Sequence, residues 1–203
     1  MLGAAGMTQS KIVGVTGITG SGTSTVSRIL QEFGGYIISA DRVAHEVMRR
    51  GQPAYDKIVS TFGLCSESEI DRKALGALVF GNPEKLAILE AIVHPEVISA
   101  IHKLLENATG YPFAVIDAPL LVESGLHEIC DSVWLVTAPD EVRLARIMTR
   151  DNIDEATATR RLHSRAGDDT LRPFADVVLD NSGGLQALQE AAWAKLAVLK
   201  GLT

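Results

Sequence analysis

A glycine-rich segment directly after an apolar run constrains the fold of this chain more than any other feature. The run KIVGVTG, residues 11–17, is continuously apolar and β-branched, as buried parallel strands are. It leads into GITGSGTS, residues 17–24, which matches the phosphate-binding pattern G-x-x-x-x-G-K-[ST] except that Thr23 stands at the lysine position. A strand, a glycine loop and a helix in this order predict an α/β domain whose loop binds an anion.

The loop retains most of the chemistry of such a site. Its three glycines let successive backbone N–H groups converge on an anion, and Ser24 offers the hydroxyl that ligates Mg²⁺. Thr23 can donate one neutral hydrogen bond but places no positive charge on the phosphates, a loss worth roughly 3–4 kcal/mol by analogy with an oxyanion donor. A nearby arginine can supply that charge instead. The predicted nucleotide-binding residues of the loop are Gly17, Gly20, Ser21, Gly22, Thr23, Ser24 and Thr25.

Two other interpretations of the loop fit less well. A glycine-rich turn that binds nothing does not explain why strand, glycines, Ser24 and helix occur in register. A dinucleotide-binding fingerprint could begin at Gly20 and Gly22, but Thr25 occupies its final glycine position.

Strand and helix patterns alternate along the rest of the chain, around one long helical stretch. A helix is predicted at 25–35, closed by Gly34 and Gly35. Residues 42–108 carry helical spacing only, interrupted by the breakers GQP, GLCSES, GNP and HP. The other predicted strands are YIIS (36–39), FAVID (113–117), SVWLVTA (132–138) and ADVVLDN (175–181). The other predicted helices are 139–151 and 185–200, the latter with an apolar face of Leu185, Leu188, Ala192, Leu196 and Leu199.

Charge and cysteine content exclude several classes of function. A net charge of −6 argues against a general nucleic-acid-binding protein, and no apolar run reaches the ~20 residues of a membrane-spanning helix. Cys65 and Cys130 form no CxxC motif, which favours a cytoplasmic location. The start MLGAAGMTQSK lacks a secretory signal, and residues 1–10 are predicted to be a disordered extension with Met7 as an alternative start. The arginines cluster between residues 143 and 172: Arg143, Arg146, Arg150, Arg160, Arg161, Arg165 and Arg172.

The chain resembles the dephospho-coenzyme A kinases, P-loop kinases that phosphorylate the ribose 3′-hydroxyl of dephospho-coenzyme A with ATP in the last step of coenzyme A synthesis. The resemblance covers residues 11 to about 190. After the loop come, in the family's order, ISADRVAHEV, GQPAYDKIVSTFG, DRKALGALVFGNPEKLAILEAIVHP, DAPLLVESGL, TRDNIDEATATRRLHSR and ADVVLDNSG. It implies a P-loop kinase fold with a five-stranded parallel sheet, and it implies ATP and Mg²⁺ as cofactors.

The chain departs from the family's pattern at four positions. Thr23 replaces the loop lysine, and Ser39 replaces the first aspartate of D-A-D, while Asp41 keeps the second. His45 stands where arginine is usual, and Arg165 where glutamine is common. Threonine at the lysine position also resembles the loops of certain archaeal cytidylate kinases, so it does not by itself exclude activity.

Candidate site residues follow from these positions. Asp41 comes just after the second strand, where α/β proteins bind ligands, and is predicted to be the general base or a Mg²⁺ ligand through water; capping the next helix is its alternative role. Asp117 ends FAVID and is a second candidate for Mg²⁺. Arg150 is predicted to contact the phosphates, together with Arg146 and Arg165, and the resemblance places Asn181 beside the adenine.

The predicted organisation is one P-loop kinase domain over residues 11–203. It contains a helical acceptor-binding insertion at 42–110 and an arginine-bearing lid at 150–173, polar enough to be mobile. The predicted partner is dephospho-coenzyme A, with no nucleic acid or membrane, in a monomer or weak homo-oligomer. Two alternatives stay open: a kinase of the same fold for another nucleotide-like acceptor, and a non-catalytic nucleotide- or coenzyme A-binding protein, because the loop lysine is Thr23.

Overall fold

Seven strands form a five-stranded sheet and a separate short hairpin in the computed structural model, which describes residues 10–66, 69–163 and 167–201. The sheet is parallel, with the order β2-β5-β1-β6-β7, while β3 and β4 form the antiparallel hairpin. The strands are β1 (Lys11–Thr16), β2 (Tyr36–Ser39), β3 (Cys65–Ser66), β4 (Glu69–Ile70), β5 (Phe113–Asp117), β6 (Ser132–Thr137) and β7 (Val177–Asp180). The predicted five-stranded parallel sheet is therefore confirmed.

The described residues also form nine α-helices. They are α1 (Thr23–Glu32), α2 (Ala40–Val47), α3 (Pro53–Phe62), α4 (Arg72–Val79), α5 (Pro83–Glu106), α6 (Asp140–Asp151), α7 (Glu155–Leu162), α8 (Asp168–Leu171) and α9 (Leu185–Leu199). Short 3₁₀ helices span Leu126–Ile129 and Arg172–Phe174. In the described part of the chain no helix combines the length and apolarity needed to cross a membrane.

The chain divides into two compact units, one made of the residues up to Ile38 and from Ala108 onward, the other of Ser39–Asn107. In the first unit, α1 and α9 pack on one face of the sheet over a core that includes Val13, Trp134 and Val136. Leu135, whose side chain points to the opposite face because strands alternate, joins a separate cluster. The central strands of the sheet are thus buried on both faces, and this packing holds the loops that follow them in place.

The second unit consists of α2 to α5 with the β3–β4 hairpin. Its longest helix, α5, packs against α2, α3 and α4 through the buried residues Val93, Val97 and Ile101. The predicted break at His94-Pro95 is wrong, because α5 continues through Pro95. The expectation that residues 42–108 hold no strand also misses the short β3–β4 pair.

Three further local predictions need correction. Helix α1 begins at Thr23, two residues earlier than predicted, and Leu185 is half exposed although it was assigned to the buried face of α9. The stretch after α6, for which no helix was predicted, contains α7 and α8, and Ile147, Ala158 and Leu162 form a small core between α6 and α7. Residues 1–9 of the predicted disordered extension lie outside the described residues.

Candidate active site

The glycine loop joins the carboxyl end of β1 to the amino end of α1, as predicted. Gly20 and Gly22 have φ angles of +83° and +99°, in the left-handed region that disfavours any side chain. A β-carbon at Gly22 would lie only 2.1 Å from Asn181 Nδ2, and one at Gly17 would lie 2.6 Å from the carbonyl oxygen of Val136. The loop is therefore packed so closely against the ends of β6 and β7 that its glycines cannot be replaced without displacing it.

A buried arginine holds the first half of the loop. Arg143 on α6 is only 4% exposed, and its Nε donates to the carbonyl oxygen of Thr19 at 3.0 Å. Its Nη1 donates to Asp140 at 2.8 Å, and its Nη2 to the carbonyl oxygen of Leu162 at 3.4 Å. The buried charge is thus paired and hydrogen-bonded, which is the condition under which a protein interior accepts a guanidinium.

Two more side chains hold the second half of the loop. Asn181 Nδ2 donates to the carbonyl oxygen of Ser21 at 2.8 Å. Arg146 Nη1 lies 3.4 and 3.3 Å from the carbonyl oxygens of Gly20 and Ser21, while its Nη2 donates to the carbonyl oxygen of Asn181 at 2.8 Å. Arg146 thereby ties the loop to the residue that follows β7.

Because these side chains hold the carbonyl groups of the glycine loop, the loop's N–H groups point away from them. Because the peptide bonds are trans, each N–H points opposite to the carbonyl of the preceding residue. The carbonyls of Thr19 and Ser21 are held by Arg143 and Asn181, so the N–H groups of Gly20 and Gly22 face the other way. The first N–H groups of α1, beginning at Thr23, have no acceptor within the helix and add its positive end. This arrangement fits an anion such as a phosphate.

Thr23 and Ser24 form the first turn of α1. Ser24 is exposed and Thr23 is half-buried, so a hydroxyl is available where the pattern places the Mg²⁺ ligand. Ser21 is fully buried, and its Oγ has no hydrogen-bond partner among the described residues. Ser21 therefore belongs to the packing of the loop rather than to its exposed face, whereas Ser24 lies on that face.

Two predicted carboxylates lie at or just after strand ends: Asp117 at the end of β5 and Asp41 after β2. Asp117, half-buried, is the last residue of β5 and pairs in register with Val15 of β1, just before the loop. Asp41 is exposed in the first turn of α2, two residues after β2 ends. The alternative role of Asp41 as a helix cap is wrong, because Ser39 caps α2 by accepting from the Arg42 N–H at 3.4 Å. Asp41 thus has no such structural role.

The remaining arginines are placed differently from Arg143 and Arg146. Arg150 is 61% exposed at the end of α6 and forms a two-point contact with Asp151, Nε–Oδ1 at 2.7 Å and Nη2–Oδ2 at 3.0 Å. Arg161 on α7 binds the same carboxylate. Hydrogen bonds from Arg150 and Arg161 lower the pKa of Asp151 to about 2. The α6–α7 hairpin therefore carries two exposed guanidinium groups joined by one carboxylate.

Comparison with known proteins now decides the family. The family model for dephospho-CoA kinase matches residues 11–187. The chain belongs to the dephospho-CoA kinase family. A curated dephospho-CoA kinase from Carboxydothermus hydrogenoformans is 43% identical over 184 residues, which cover 88% of this chain and 89% of that protein. The resemblance predicted from the sequence is thereby confirmed.

Solved structures give the same result for the fold. A protein from Thermus thermophilus is 32% identical, with a TM-score of 0.82, and the match covers 95% of this chain and 99% of that one. The dephospho-CoA kinase from Campylobacter jejuni is 29% identical, with a TM-score of 0.69 and 95% and 98% coverage. The predicted P-loop kinase fold is confirmed, and ATP binding is what this family implies.

Only some of the predicted site residues of this dephospho-CoA kinase family member contact the glycine loop in the structure. Arg146 and Asn181 donate to carbonyl oxygens of the loop, while Arg150 lies in the α6–α7 hairpin. Phosphate contact by Arg146 and adenine contact by Asn181 stay predictions. Arg165 lies outside the described residues.

Two residues that make the contacts described above were not predicted from the sequence. Arg143 was counted only among the clustered arginines, and Asp151 was not singled out at all. A partial signal for Arg143 was its spacing of three residues from Arg146, since two arginines at i and i+3 share one face of a helix. Nothing in the local pattern indicated that one of them is buried while Arg150 is exposed.

Replacing Gly22 with alanine should weaken ATP binding by about 10- to 100-fold, because a side chain in this backbone conformation costs of order 1–3 kcal/mol, which the loop avoids by leaving the position that binds the phosphates. The reason is the combination of φ +99° with a distance of 2.1 Å to Asn181 Nδ2. Isothermal titration calorimetry with Mg²⁺-ATP measures the effect. Gly63→Ala is the matched control, since Gly63 has φ +67° but no atom within 4 Å of its β-carbon position. Equal ATP affinity in wild type and Gly22→Ala would contradict the assigned role of the loop.

Proposed function

We propose that this protein transfers the γ-phosphate of ATP to the ribose 3′-hydroxyl of dephospho-coenzyme A, and that arginines replace the charge of the absent loop lysine. Family membership supports the reaction. At the site, the proposal rests on one observation: the side chains of Arg143, Arg146 and Asn181 donate hydrogen bonds to the carbonyl oxygens of the glycine loop. These contacts preserve the anion-binding amides although the lysine is missing.

The loop and the ends of two strands would hold the nucleotide. The backbone N–H groups of Gly20, Gly22, Thr23 and Ser24 would bind the phosphates of ATP, whereas that of Ser21 donates to the carbonyl oxygen of Ile18 at 3.0 Å. The first-turn hydroxyl of Ser24 and the carboxylate of Asp117 fit a divalent cation, because hydroxyl and carboxylate oxygens are the donors that Mg²⁺ prefers. When bound, Mg²⁺ neutralises part of the phosphate charge and orients the β- and γ-oxygens.

The missing charge would come from the hairpin of α6 and α7. Phosphoryl transfer places developing negative charge on the equatorial oxygens of the moving group, and an arginine can compensate it as well as a lysine can. Arg150 and Arg161 are two of the exposed cations of this hairpin, and both already bind an anionic group, the carboxylate of Asp151. Arg165, predicted to join them, is part of the segment outside the described residues. Of these arginines, Arg150 is our first candidate for stabilising the charge on the transferring phosphoryl group.

Asp41 would act on the acceptor. It would accept the proton of the 3′-hydroxyl while that oxygen forms its bond to the γ-phosphorus, and the bond from the γ-phosphorus to the β–γ bridging oxygen breaks, leaving ADP. Its support is its position after β2 at the carboxyl edge of a parallel sheet, where such folds bind ligands. The helical insertion predicted at 42–110 would contribute the remaining contacts to dephospho-coenzyme A.

The test is a direct assay on the purified full-length chain. With ATP, Mg²⁺ and dephospho-coenzyme A, mass spectrometry should detect ADP and coenzyme A in equal amounts, and chelating the Mg²⁺ should stop both. Nucleosides and nucleotides offered in place of dephospho-coenzyme A should not be phosphorylated. Phosphorylation of one of them instead would favour the same-fold kinase for another acceptor. Tight ATP binding with no product from any acceptor would favour a non-catalytic nucleotide- or coenzyme A-binding protein. The cytoplasmic location and the monomeric or weakly oligomeric state stay predictions.

A further inference from the structure

The hairpin of α6 and α7 is a firmly packed support for its arginines. Ile147 of α6 and Ala158 and Leu162 of α7 form its buried core. Asn152, in the left-handed region with φ +50°, ends α6 and reverses the chain, and Asp154 caps α7 by accepting from the Thr157 N–H at 2.7 Å. Side chains on this hairpin therefore have defined positions relative to one another.

Asp151 is an unusual residue for its place on this support. It is the last residue of α6, where the helix dipole is negative and a carboxylate is unfavourable. Its side chain is only 16% exposed, although aspartate favours water. Both costs are offset by Arg150 and Arg161, which approach it from the two helices. A residue with these costs and these two partners fits a role in organising the arginines.

The geometry of the Arg150 contact supports that role. Asp151 engages the Nε and Nη2 edge of the guanidinium, the two-point arrangement that fixes its plane. Nη1 is left over, since no contact among the described residues involves it, and the Arg150 side chain is 61% exposed. The carboxylate therefore orients the group without covering its tip, as residues behind an active-site side chain commonly do.

We propose that Asp151 is a positioning residue that holds Arg150 and Arg161 together as one cationic pair for the transferring phosphoryl group. This inference rests on the proposed function. Two guanidinium groups side by side repel each other, and the carboxylate between them removes that repulsion while leaving the cluster with a net charge of +1. Without it, the Arg150 side chain would adopt many rotamers, and ordering it at the phosphate would have to occur during the reaction.

The variant Asp151→Asn tests this role, with Asp154→Asn as its matched control. Both variants remove one carboxylate from the same hairpin, but Asp154 contacts the α7 backbone rather than Arg150 or Arg161. We expect kcat for coenzyme A formation to fall about 10-fold in Asp151→Asn, because a misplaced arginine stabilises the reacting phosphate less well. KM for dephospho-coenzyme A should change little. Asp154→Asn should leave kcat unchanged and the Tm nearly so, because asparagine caps a helix about as well as aspartate. Asp151→Glu should recover part of the lost kcat.

A second measurement separates this inference from the proposed function. The Nε–H signal of Arg150 in ¹⁵N NMR spectra should be slow to exchange in the wild type and fast in Asp151→Asn. The inference is overturned if that signal is already fast in the wild type, if kcat of Asp151→Asn equals or exceeds that of the wild type, or if Asp154→Asn loses as much kcat. A slow Arg150 signal in a wild-type protein that phosphorylates nothing would overturn the proposed function and support the contact.

Discussion

Replacing Arg150 with glutamine should lower kcat for coenzyme A formation by about 10³-fold, the lower range for an arginine that stabilises a transferring phosphoryl group. The effect should be large in this chain because the loop position that ordinarily holds lysine is Thr23. Glutamine retains hydrogen-bonding capacity and much of the length of arginine but removes the charge. ATP affinity should change far less than kcat, since the loop amides already bind the ground state. Steady-state kinetics together with ATP titration separate the two effects.

The matched control for Arg150 is Arg160→Gln. Arg160 lies on α7, is also exposed, and donates only to the hydroxyl of Thr157 at 2.9 Å among its described contacts. Its replacement removes the same charge from the same hairpin, so a general electrostatic effect would lower kcat equally in both variants. We expect Arg160→Gln to retain kcat within about 3-fold, as a surface charge screened by solvent does. Equal losses would remove the specific role of Arg150.

Replacing Asp41 with asparagine should lower kcat by about 10²–10⁴-fold, which is the usual contribution of a general base. Asparagine keeps the size and the hydrogen-bonding capacity of the side chain but cannot accept the proton of the 3′-hydroxyl. The stability of the protein should be almost unchanged, because Ser39 rather than Asp41 caps α2 and Asp41 is exposed. Kinetics and thermal unfolding of the same preparations check both statements.

Asp56→Asn provides the control for Asp41. Asp56 is an exposed aspartate in the first turn of α3, as Asp41 is in the first turn of α2, so both variants lose the same favourable interaction with a helix dipole, about 0.3–1 kcal/mol. Only Asp41→Asn should lose activity. If Asp41→Asn turns over within a few fold of the wild type, another group takes the proton or none is needed.

The sheet could be predicted from the sequence because its strands carry strong local patterns. KIVGVT, FAVID and SVWLVT are continuously apolar since both faces of a central parallel strand are buried. The path of α5 could not be predicted in the same way. Pro95 costs about 3 kcal/mol inside a helix, which argues for a break. Buried Val93, Val97 and Ile101 on either side of it each contribute roughly 1.5–3 kcal/mol, and that tertiary packing keeps the helix continuous.

The candidate site was predictable where the chemistry depends on residue spacing, and not where it depends on burial. Glycines and a hydroxyl at fixed intervals identify the phosphate-binding loop, because the backbone itself binds the ligand. The division of the arginines follows instead from tertiary structure. Arg143 points into the protein to the carbonyl of Thr19, while Arg150, on the same helix, points to solvent and Asp151. Local sequence shows both only as members of one basic stretch.

The most direct measurement of the central claim is a double-mutant cycle between Thr23→Lys and Arg150→Gln, read as kcat/KM for coenzyme A formation. If arginine supplies the charge that lysine ordinarily gives, Thr23→Lys alone should change the rate by less than about 3-fold. In the lysine background, Arg150→Gln should then cost about 10-fold instead of about 10³-fold, a coupling near 2.7 kcal/mol. A large gain from Thr23→Lys alone, with the same loss from Arg150→Gln in both backgrounds, would show that the charge is missing in the wild type and would contradict the account.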